Sequence, residues 1–418
     1  MRTFRRFFVT LSTLLCTGFA LAPAVTAQQG SAPAAPDSAK KSTAGLPLEA
    51  ARTIAFTTAR GTWMSVDVSP DGRTLVFDLL GDLYTLPMAG GTATRLTHGM
   101  AYDAQPRFSP DGASVVFVSD RDGGNNVWIM SLDGTDTTQV TKGKDFEYAS
   151  PEWTPDGEYV VASKGTRTPQ LWLFHKSGGG GAQLIKEPQT LKTLGAAFGS
   201  DPRYIWFAER TGAWEYNAIF PQYQIAVYDR ETGKRTVMTD RIGSAFRPTL
   251  SPDGKWMVYG TRHDAKTGLL VRDQETGAER WLAYPVQRDD QEALSSLDVL
   301  PGMSFTPDGR YVVASYGGEF WKIPVDGTAP AKVPFSADVS VELGPLSRFE
   351  YRVDTEPTFT AHQIRDAVPS PDGSRMAFAA MDKLYVMDYP DGTPQRLTDT
   401  GDGIIEAQPT WSPDGRQI

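Results

Sequence analysis

The sequence predicts an all-β protein, a β-propeller built from four-stranded antiparallel blades, and three observations lead to this prediction. A Ser/Thr-Pro-Asp-Gly tetrapeptide recurs along the chain. Its spacing is close to the interval of about 40–50 residues that is typical of propeller repeats. Glycine and proline occur 40 and 30 times among the 418 residues, and no long helical pattern is evident. Short strands separated by frequent turns are therefore expected along the chain.

The tetrapeptide is the element that organises the repeat. It begins at Ser69, Ser109, Thr154, Ser251, Thr306, Ser370 and Ser412, with a degraded copy at Ser200. In a type I turn, Ser suits the first position, Pro presets φ at the second, Asp fits the third and Gly closes the fourth. Each copy should reverse the chain between two strands. The spacing predicts seven complete blades and the start of an eighth.

The second repeat shows the expected blade in full. Four strands are predicted, at 105–109, 114–119, 127–132 and 139–141. The tetrapeptide joins the first strand to the second, and Asp122-Gly123-Gly124 makes the next hairpin turn. The β-branched and aromatic residues of these strands suit a pleated and mostly buried sheet.

The amino-terminal region predicts an exported protein. Residues 1–27 combine a basic start, an apolar run and a small-residue cleavage site, which is typical of a signal peptide. The only cysteine, Cys16, lies inside it. Residues 28–45 have the composition of a flexible tether. We therefore expect a periplasmic or secreted protein that lacks disulfide bonds.

The net charge and the length of the amino-terminal apolar run argue against a nucleic-acid partner and against a stable membrane span. The formal net charge of -9 is unlike the basic footprint of a nucleic-acid-binding protein. The apolar run from Phe7 to Ala22 is too short for a stable membrane span.

The sequence contains no recognisable catalytic or metal-binding motif. The four histidines, His98, His175, His263 and His362, are not paired at the spacing of a metal site. No Gly-x-Ser-x-Gly nucleophile motif occurs. We predict no catalytic residue, no cofactor-binding residue and no metal ligand in this segment.

One face of the predicted propeller carries the long insertions. Turns on the tetrapeptide face are short, whereas insertions at 210–222, 262–268, 284–302 and 338–366 belong to the opposite face. Aromatic and charged side chains in two of these insertions suggest a contact surface for a partner. The candidate residues are Trp214, Tyr216, Arg288 and Asp290. Alternatively, the insertions fill gaps between blades.

The repeats resemble those of TolB-like propellers. Pro409-Thr410-Trp411-Ser412-Pro413-Asp414-Gly415 matches the opening of that repeat, Asn126-Val127-Trp128-Ile129 matches its third strand, and Leu96-Thr97 matches its close. The resemblance implies one TolB-like propeller over residues 46–418. Since only three residues follow the last tetrapeptide, either the strand Ile54 to Thr58 helps to close the ring, or the natural chain continues. We expect continuation and hence a carboxyl-terminally truncated propeller, because a blade needs four strands.

The insertions resemble the propeller region of large exported bacterial amidohydrolases. The stretches that carry this resemblance are 216–218, 221–229, 284–292 and 363–365. It implies a non-catalytic region that serves as docking platform and access filter for a downstream hydrolase domain, and a divalent metal only in that domain. A stand-alone periplasmic protein-binding propeller and the propeller of a prolyl-oligopeptidase-like serine peptidase are the alternatives. The partner is thus a hydrolase domain of the same chain or another periplasmic protein.

Overall fold

A computed structural model describes residues 50–212, 222–294, 296–346, 357–401 and 403–418. These residues form strands and turns, and no α-helix occurs among them. The chain divides into two compact units, Met1–Pro345 and Leu346–Ile418.

The strands are short and follow one another closely. In the first unit they are β1 (Arg52–Thr58), β2 (Val66–Val68), β3 (Thr74–Leu79), β4 (Asp82–Pro87), β5 (Gly91–Thr92), β6 (Thr94–Arg95), β7 (Asp103–Phe108), β8 (Ser114–Ser119), β9 (Asn126–Ser131), β10 (Thr137–Gln139), β11 (Glu147–Trp153), β12 (Tyr159–Gly165), β13 (Gln170–His175), β14 (Ala182–Gln183), β15 (Leu191–Ala197), β16 (Tyr204–Thr211), β17 (Gln224–Asp229), β18 (Arg235–Val237), β19 (Phe246–Leu250), β20 (Trp256–His263), β21 (Lys266–Asp273), β22 (Glu279–Ala283), β23 (Ser304–Phe305), β24 (Tyr311–Tyr316), β25 (Glu319–Pro324), β26 (Ala331–Val333) and β27 (Phe335–Leu343). In the second unit they are β28 (Arg365–Pro369), β29 (Arg375–Ala380), β30 (Lys383–Asp388) and β31 (Gln395–Arg396).

Six four-stranded antiparallel sheets make up the blades of the first unit's described residues. Blade 1 is β2-β3-β4-β6, and blades 2 to 6 are β7 to β10, β11 to β14, β15 to β18, β19 to β22 and β23 to β26. Strand order follows chain order in every blade, as consecutive hairpins require. In blade 2 the four strands lie within about two residues of their predicted positions, which confirms the repeat as predicted.

The six blades close a ring through shared hydrophobic cores. Each neighbouring pair of blades buries one apolar cluster between its sheets. The sixth blade joins the first, because Phe77 of β3 packs edge-on against Phe320 of β25 with ring centroids 4.8 Å apart. Each blade is apolar on both faces, and this arrangement buries both of them against the neighbouring blades.

A separate three-stranded sheet covers the seam between blades 6 and 1. Its order is β1-β27-β5, with β1 antiparallel and β5 parallel to β27. Phe335 at the start of β27 packs against Phe77 and Phe320, with ring centroids 5.7 and 5.2 Å away. The strand predicted at Ile54 to Thr58 is therefore present as β1, and its partner is β27. The two ends of the first unit are thereby held together.

The tetrapeptide forms the turn that its composition predicts. In the first copy, the Ser69 hydroxyl donates to the Asp71 carboxylate (2.6 Å), which also accepts from the backbone N–H of Arg73 (3.0 Å). These bonds hold the pKa of Asp71 below its ordinary value, the Ser69 bond first among them. Gly72 closes the turn with a φ of 73°, a left-handed conformation that favours glycine.

Proline and glycine of successive turns also touch one another. A side chain on Gly112 would lie 3.4 Å from Cδ of Pro70, and one on Gly72 would lie 3.3 Å from Cδ of Pro307. The second contact joins blade 1 to blade 6 and so belongs to the ring closure. At the degraded copy, Gly254 faces Ser200 instead of a proline. A cavity of about 260 Å³ lies there, between blades 4 and 5.

The second unit contains one more four-stranded sheet, β28 to β31, and the last tetrapeptide. The Ser412 turn is formed, since the N–H of Gly415 donates to the Ser412 carbonyl (2.9 Å). Seven four-stranded sheets are thus present among the described residues, as predicted. The sequence predicts one propeller over 46–418, and that boundary stays a prediction. Six of the sheets lie in the first unit and the seventh lies in the second.

The seam generates a prediction about stability. We expect Phe335→Ala to lower the free energy of unfolding by about 3–5 kcal/mol, because it leaves a cavity where blade 6, blade 1 and β27 meet. Chemical denaturation followed by tryptophan fluorescence measures the change.

Phe359→Ala is the matched control, since that ring is 68% exposed. It should leave the unfolding curve almost unchanged. Equal curves for both variants would mean that the seam does not hold the ring together.

Candidate functional site

The innermost strands of the blades share a bulge. Register shifts occur between Ala104 and Arg107 in β7, and at the corresponding places in β11, β15 and β19. The bulged residues Gln105, Ser150 and Arg247 have φ values of 57°, 50° and 56°. A bulge of this kind re-aims a side chain. Here it supplies polar side chains to the centre of the ring.

Two layers of side chains line the centre of the ring, which we call the channel. The first comes from positions four residues before the tetrapeptide and includes Ser65, Gln105, Ser150 and Arg247, all buried. The second comes from positions two residues before it, which are Asp67, Arg107, Glu152, Phe198, Thr249 and Ser304. These six residues line a cavity of about 190 Å³. We call this second set the mouth layer.

Arg107 organises the charges of the mouth layer. Its Nη1 donates to Asp67 Oδ1 (3.2 Å) and to the Met303 carbonyl (3.0 Å), and its Nε lies 3.2 Å from Glu152 Oε2. Burial disfavours the charge of Arg107, but Glu152 and Asp67 outweigh this effect and raise its pKa. Burial raises the pKa of Glu152 to about 7, against the attraction of Arg107. Glu152 is therefore poised to change charge near neutral pH.

The connection from blade 5 to blade 6 crosses the channel, and we call its described residues, 284–294 and 296–300, the channel segment. Its Asp298 is fully buried and accepts hydrogen bonds from the Ser150 hydroxyl and from Nη1 of Arg247. These two partners lie in blades 3 and 5, on different sides of the ring. The preceding residue contacts another part of the ring, because the Leu297 carbonyl accepts from Nε1 of Trp63 (3.1 Å), next to blade 1.

A glycine makes room for Asp298. Gly195 of blade 4 has a φ of 65°, and a side chain there would come within 2.8 Å of Asp298 Oδ2. Blade 4 thus supplies space at the level of the channel where blades 3 and 5 supply donors. The bulge of blade 4 therefore carries no side chain at the position where the bulges of blades 2, 3 and 5 carry a polar one.

Ionic contacts fix the channel segment to the rim of the ring. Arg262 at the end of β20 forms two-pronged contacts with both Asp289 and Glu292, at 2.6–2.8 Å. Paired guanidinium–carboxylate contacts of this geometry are among the stronger hydrogen bonds in proteins. Lys192 donates to the Leu294 carbonyl, and Nη1 of Arg210 donates to the Gln291 carbonyl (2.7 Å). Burial lowers the pKa of Lys192 to about 8, and the neighbouring Arg210 contributes to this shift.

The structure describes two of the four residues predicted as a partner surface. Trp214 and Tyr216 lie outside the described residues. Arg288 and Asp290 lie in the channel segment, where the Arg288 side chain is 83% exposed and the Asp290 N–H donates to the Val299 carbonyl (2.9 Å). Between them, Asp289 is buried against Arg262. The insertion thus packs across the ring's centre, and its role as a contact surface stays a prediction.

Sequence reasoning missed Asp289, Asp298 and the two channel layers. Aligning the repeats on the tetrapeptide would have revealed the layers, because Ser65, Gln105 and Ser150 all lie four residues before it and are all polar. No motif marks Asp298, whose partners lie at least 51 residues away in sequence.

The histidines are dispersed over the surface. His98, His175, His263 and His362 are all exposed. In the part of the chain that the structure describes, no group of three or more His, Cys, Asp or Glu side chains could hold a metal ion. That part also contains no helix long and apolar enough to cross a membrane.

Comparisons with known proteins agree with the propeller architecture. The family model for the tricorn protease N-terminal β-propeller domain matches residues 51–213. Uncharacterized peptidase YuxL of Bacillus subtilis is 26% identical over 179 residues, which is 40% of this chain and 23% of that protein. The chain therefore spans less than a quarter of this relative.

Two solved structures are similar in fold. The crystal structure of TolB from Acinetobacter baumannii has a TM-score of 0.51 at 19% identity, covering 66% of this chain and 65% of that one. The crystal structure of the tricorn protease has a TM-score of 0.50 at 15% identity, covering 82% of this chain and 32% of that one. The fold is a TolB-like β-propeller.

The mouth layer generates a prediction about pH. The pKa of Glu152 is about 7 in the folded protein against an ordinary value of 4.5, so the folded state keeps a proton that the unfolded state releases between these values. Stability from this group therefore falls as pH rises from about 4.5 to 7. Glutamine does not titrate in this range. The free energy of unfolding of Glu152→Gln, relative to that of the native protein, should therefore rise by roughly 1–3 kcal/mol from pH 5 to pH 8. Chemical denaturation at the two pH values measures this change.

Glu275→Gln, in an exposed hairpin turn, is the control and should show no such trend. A stability difference for Glu152→Gln that is the same at both pH values would mean that Arg107 keeps Glu152 ionised throughout.

Proposed function

The chain carries a TolB-like β-propeller, and we propose that it is the non-catalytic propeller region of a larger exported hydrolase. In this proposal, it serves as a docking platform for the catalytic domain and limits access by covering that domain. The single observation that carries the proposal is the channel segment. It crosses the ring and buries Asp298 between Ser150 and Arg247, which suits a rigid platform better than a passage for substrate.

The docking surface in this proposal is the face of the long insertions. Its candidate contacts are Trp214, Tyr216, Arg288 and Asp290. Arg288 supports the choice, because it projects from a backbone that Arg262 anchors through Asp289 and Glu292. The backbone that carries Arg288 is already held in place and loses little further conformational entropy on binding, which favours an arginine anchor at this position.

The alternatives differ in the kind of protein to which the propeller would belong. The names of the similar proteins, a peptidase from Bacillus subtilis and the tricorn protease, support a peptidase parent. The expectation of an amidohydrolase parent with a divalent metal in its own domain rests on the resemblance of the insertions. The likeness to TolB supports a stand-alone protein-binding propeller. Export to the periplasm is part of each of these alternatives.

A photo-crosslinking experiment tests the docking surface. We expect p-benzoylphenylalanine at position 288, in the full natural protein, to crosslink to a hydrolase domain of the same chain or of a partner. The same probe at position 73 should not, because Arg73 lies on the opposite, tetrapeptide face. Mass spectrometry of the crosslinked peptides distinguishes peptidase, amidohydrolase and a protein without a hydrolase domain.

Arg73 is an exposed arginine like Arg288, so the two positions differ mainly in the face on which they lie. Crosslinks confined to position 73 would put the partner on the tetrapeptide face and contradict the proposal. Crosslinks from position 288 to a protein without a hydrolase domain would support the stand-alone alternative.

A further inference from the structure

A further cavity lies beside the channel segment, on the same face as the insertions. It measures about 450 Å³ and lies between blades 3 and 4. Arg167 and Thr168 line it from the β12–β13 turn, Lys192 and Arg210 from blade 4, and Glu292 to Leu294 from the channel segment. We call it the rim pocket.

The charges of the rim pocket are mostly positive. Arg167, Lys192 and Arg210 contribute three cations, whereas Glu292 is the one carboxylate among the lining residues. Both oxygens of Glu292 are already bound by the guanidinium of Arg262, at 2.6 and 2.7 Å. Its charge is therefore largely compensated outside the pocket, and the cations leave a net positive pocket.

Arg210 has unused hydrogen-bonding capacity in this pocket. Its side chain is 7% exposed in total, and its Nη1 donates to the Gln291 carbonyl. Its Nε is buried and has no hydrogen-bond partner among the described residues. A buried guanidinium N–H without an acceptor is costly, so this position is suited to an acceptor from outside the chain.

From this geometry we propose that the rim pocket binds a compact oxyanion, a carboxylate or phosphate group of a small molecule. The planar guanidinium groups of Arg167 and Arg210 match the oxygens of such a group. Lys192 supplies a third positive charge, and the volume leaves room for a short molecular body beside Thr168 and Leu294. This site lies on the same face as the proposed docking surface, but the argument for it does not depend on the proposed function.

The bound group should also strengthen the hold on the channel segment. Lys192 and Arg210 each donate to a carbonyl oxygen of that segment, at Leu294 and Gln291. These two cations repel one another while the pocket holds no anion. An oxyanion between them relieves the repulsion without removing the carbonyl contacts, since each cation has N–H groups beyond the one that it donates to the segment.

Calorimetric titration of the whole chain with inorganic phosphate and, separately, with acetate tests the proposal at constant ionic strength. We expect saturable binding of at least one anion. Arg167→Ala should weaken it by about fivefold to tenfold, since an ionic hydrogen bond is lost from an exposed side chain. Arg210→Lys keeps the charge but removes Nε, and it should also weaken binding. Tighter binding of phosphate than of acetate assigns a phosphate group, and the reverse order assigns a carboxylate.

Lys266→Ala is the matched control, because it removes an exposed cation from the same face outside the pocket. It should leave the affinity unchanged. Absence of saturable binding for both anions would overturn the proposal, as would equal affinities for the native protein and Arg167→Ala. Arg167→Ala keeps the test decisive should Arg210→Lys fail to fold, since Arg167 forms no ion pair within the described residues.

Discussion

The rest of the structure depends on the burial of both faces of every blade. A four-stranded sheet with apolar residues on both faces needs a neighbour on each side. A linear stack would leave its first and last sheets uncovered, whereas a ring covers all of them. The contact of Phe77 with Phe320 and Phe335 provides this closure between blades 6 and 1. The strand pair β1 and β27 then ties the two ends of the first unit together over the same seam.

Closure of the ring also limits the space for side chains at its centre. The six innermost strands converge there, and large apolar side chains from all of them cannot share the same space. The bulges place Gln105, Ser150 and Arg247 inward instead, and Asp298 brings a carboxylate to meet two of them. Buried polar groups are tolerated when they are hydrogen-bonded, and removal of one partner leaves another unsatisfied. The channel segment is therefore part of the packing of the ring as well as a loop on its surface.

How far the sequence alone could predict this structure follows from the range of each interaction. The Ser69 turn depends on contacts within five residues, so its pattern was readable wherever it recurred. The blades followed from it. The contact between blades 6 and 1 was not predictable, because Phe77 and Phe320 are far apart in sequence and meet only in the folded protein. Arg288 and Asp290 were selected for their exposed and charged character, while Asp289 and Asp298 depend on partners far along the chain.

Departures from the repeat indicate where this propeller is specialised. Blade 4 has the degraded tetrapeptide, and Gly195 at its bulge leaves room for Asp298 where the bulges of blades 2, 3 and 5 place Gln105, Ser150 and Arg247. The same blade supplies Lys192 and Arg210, two buried cations whose desolvation a merely structural repeat would not require. Both cations contact the channel segment, and both line the rim pocket. Blade 4 is thus where the regular packing of the ring gives way to an arrangement of charge beside the channel segment.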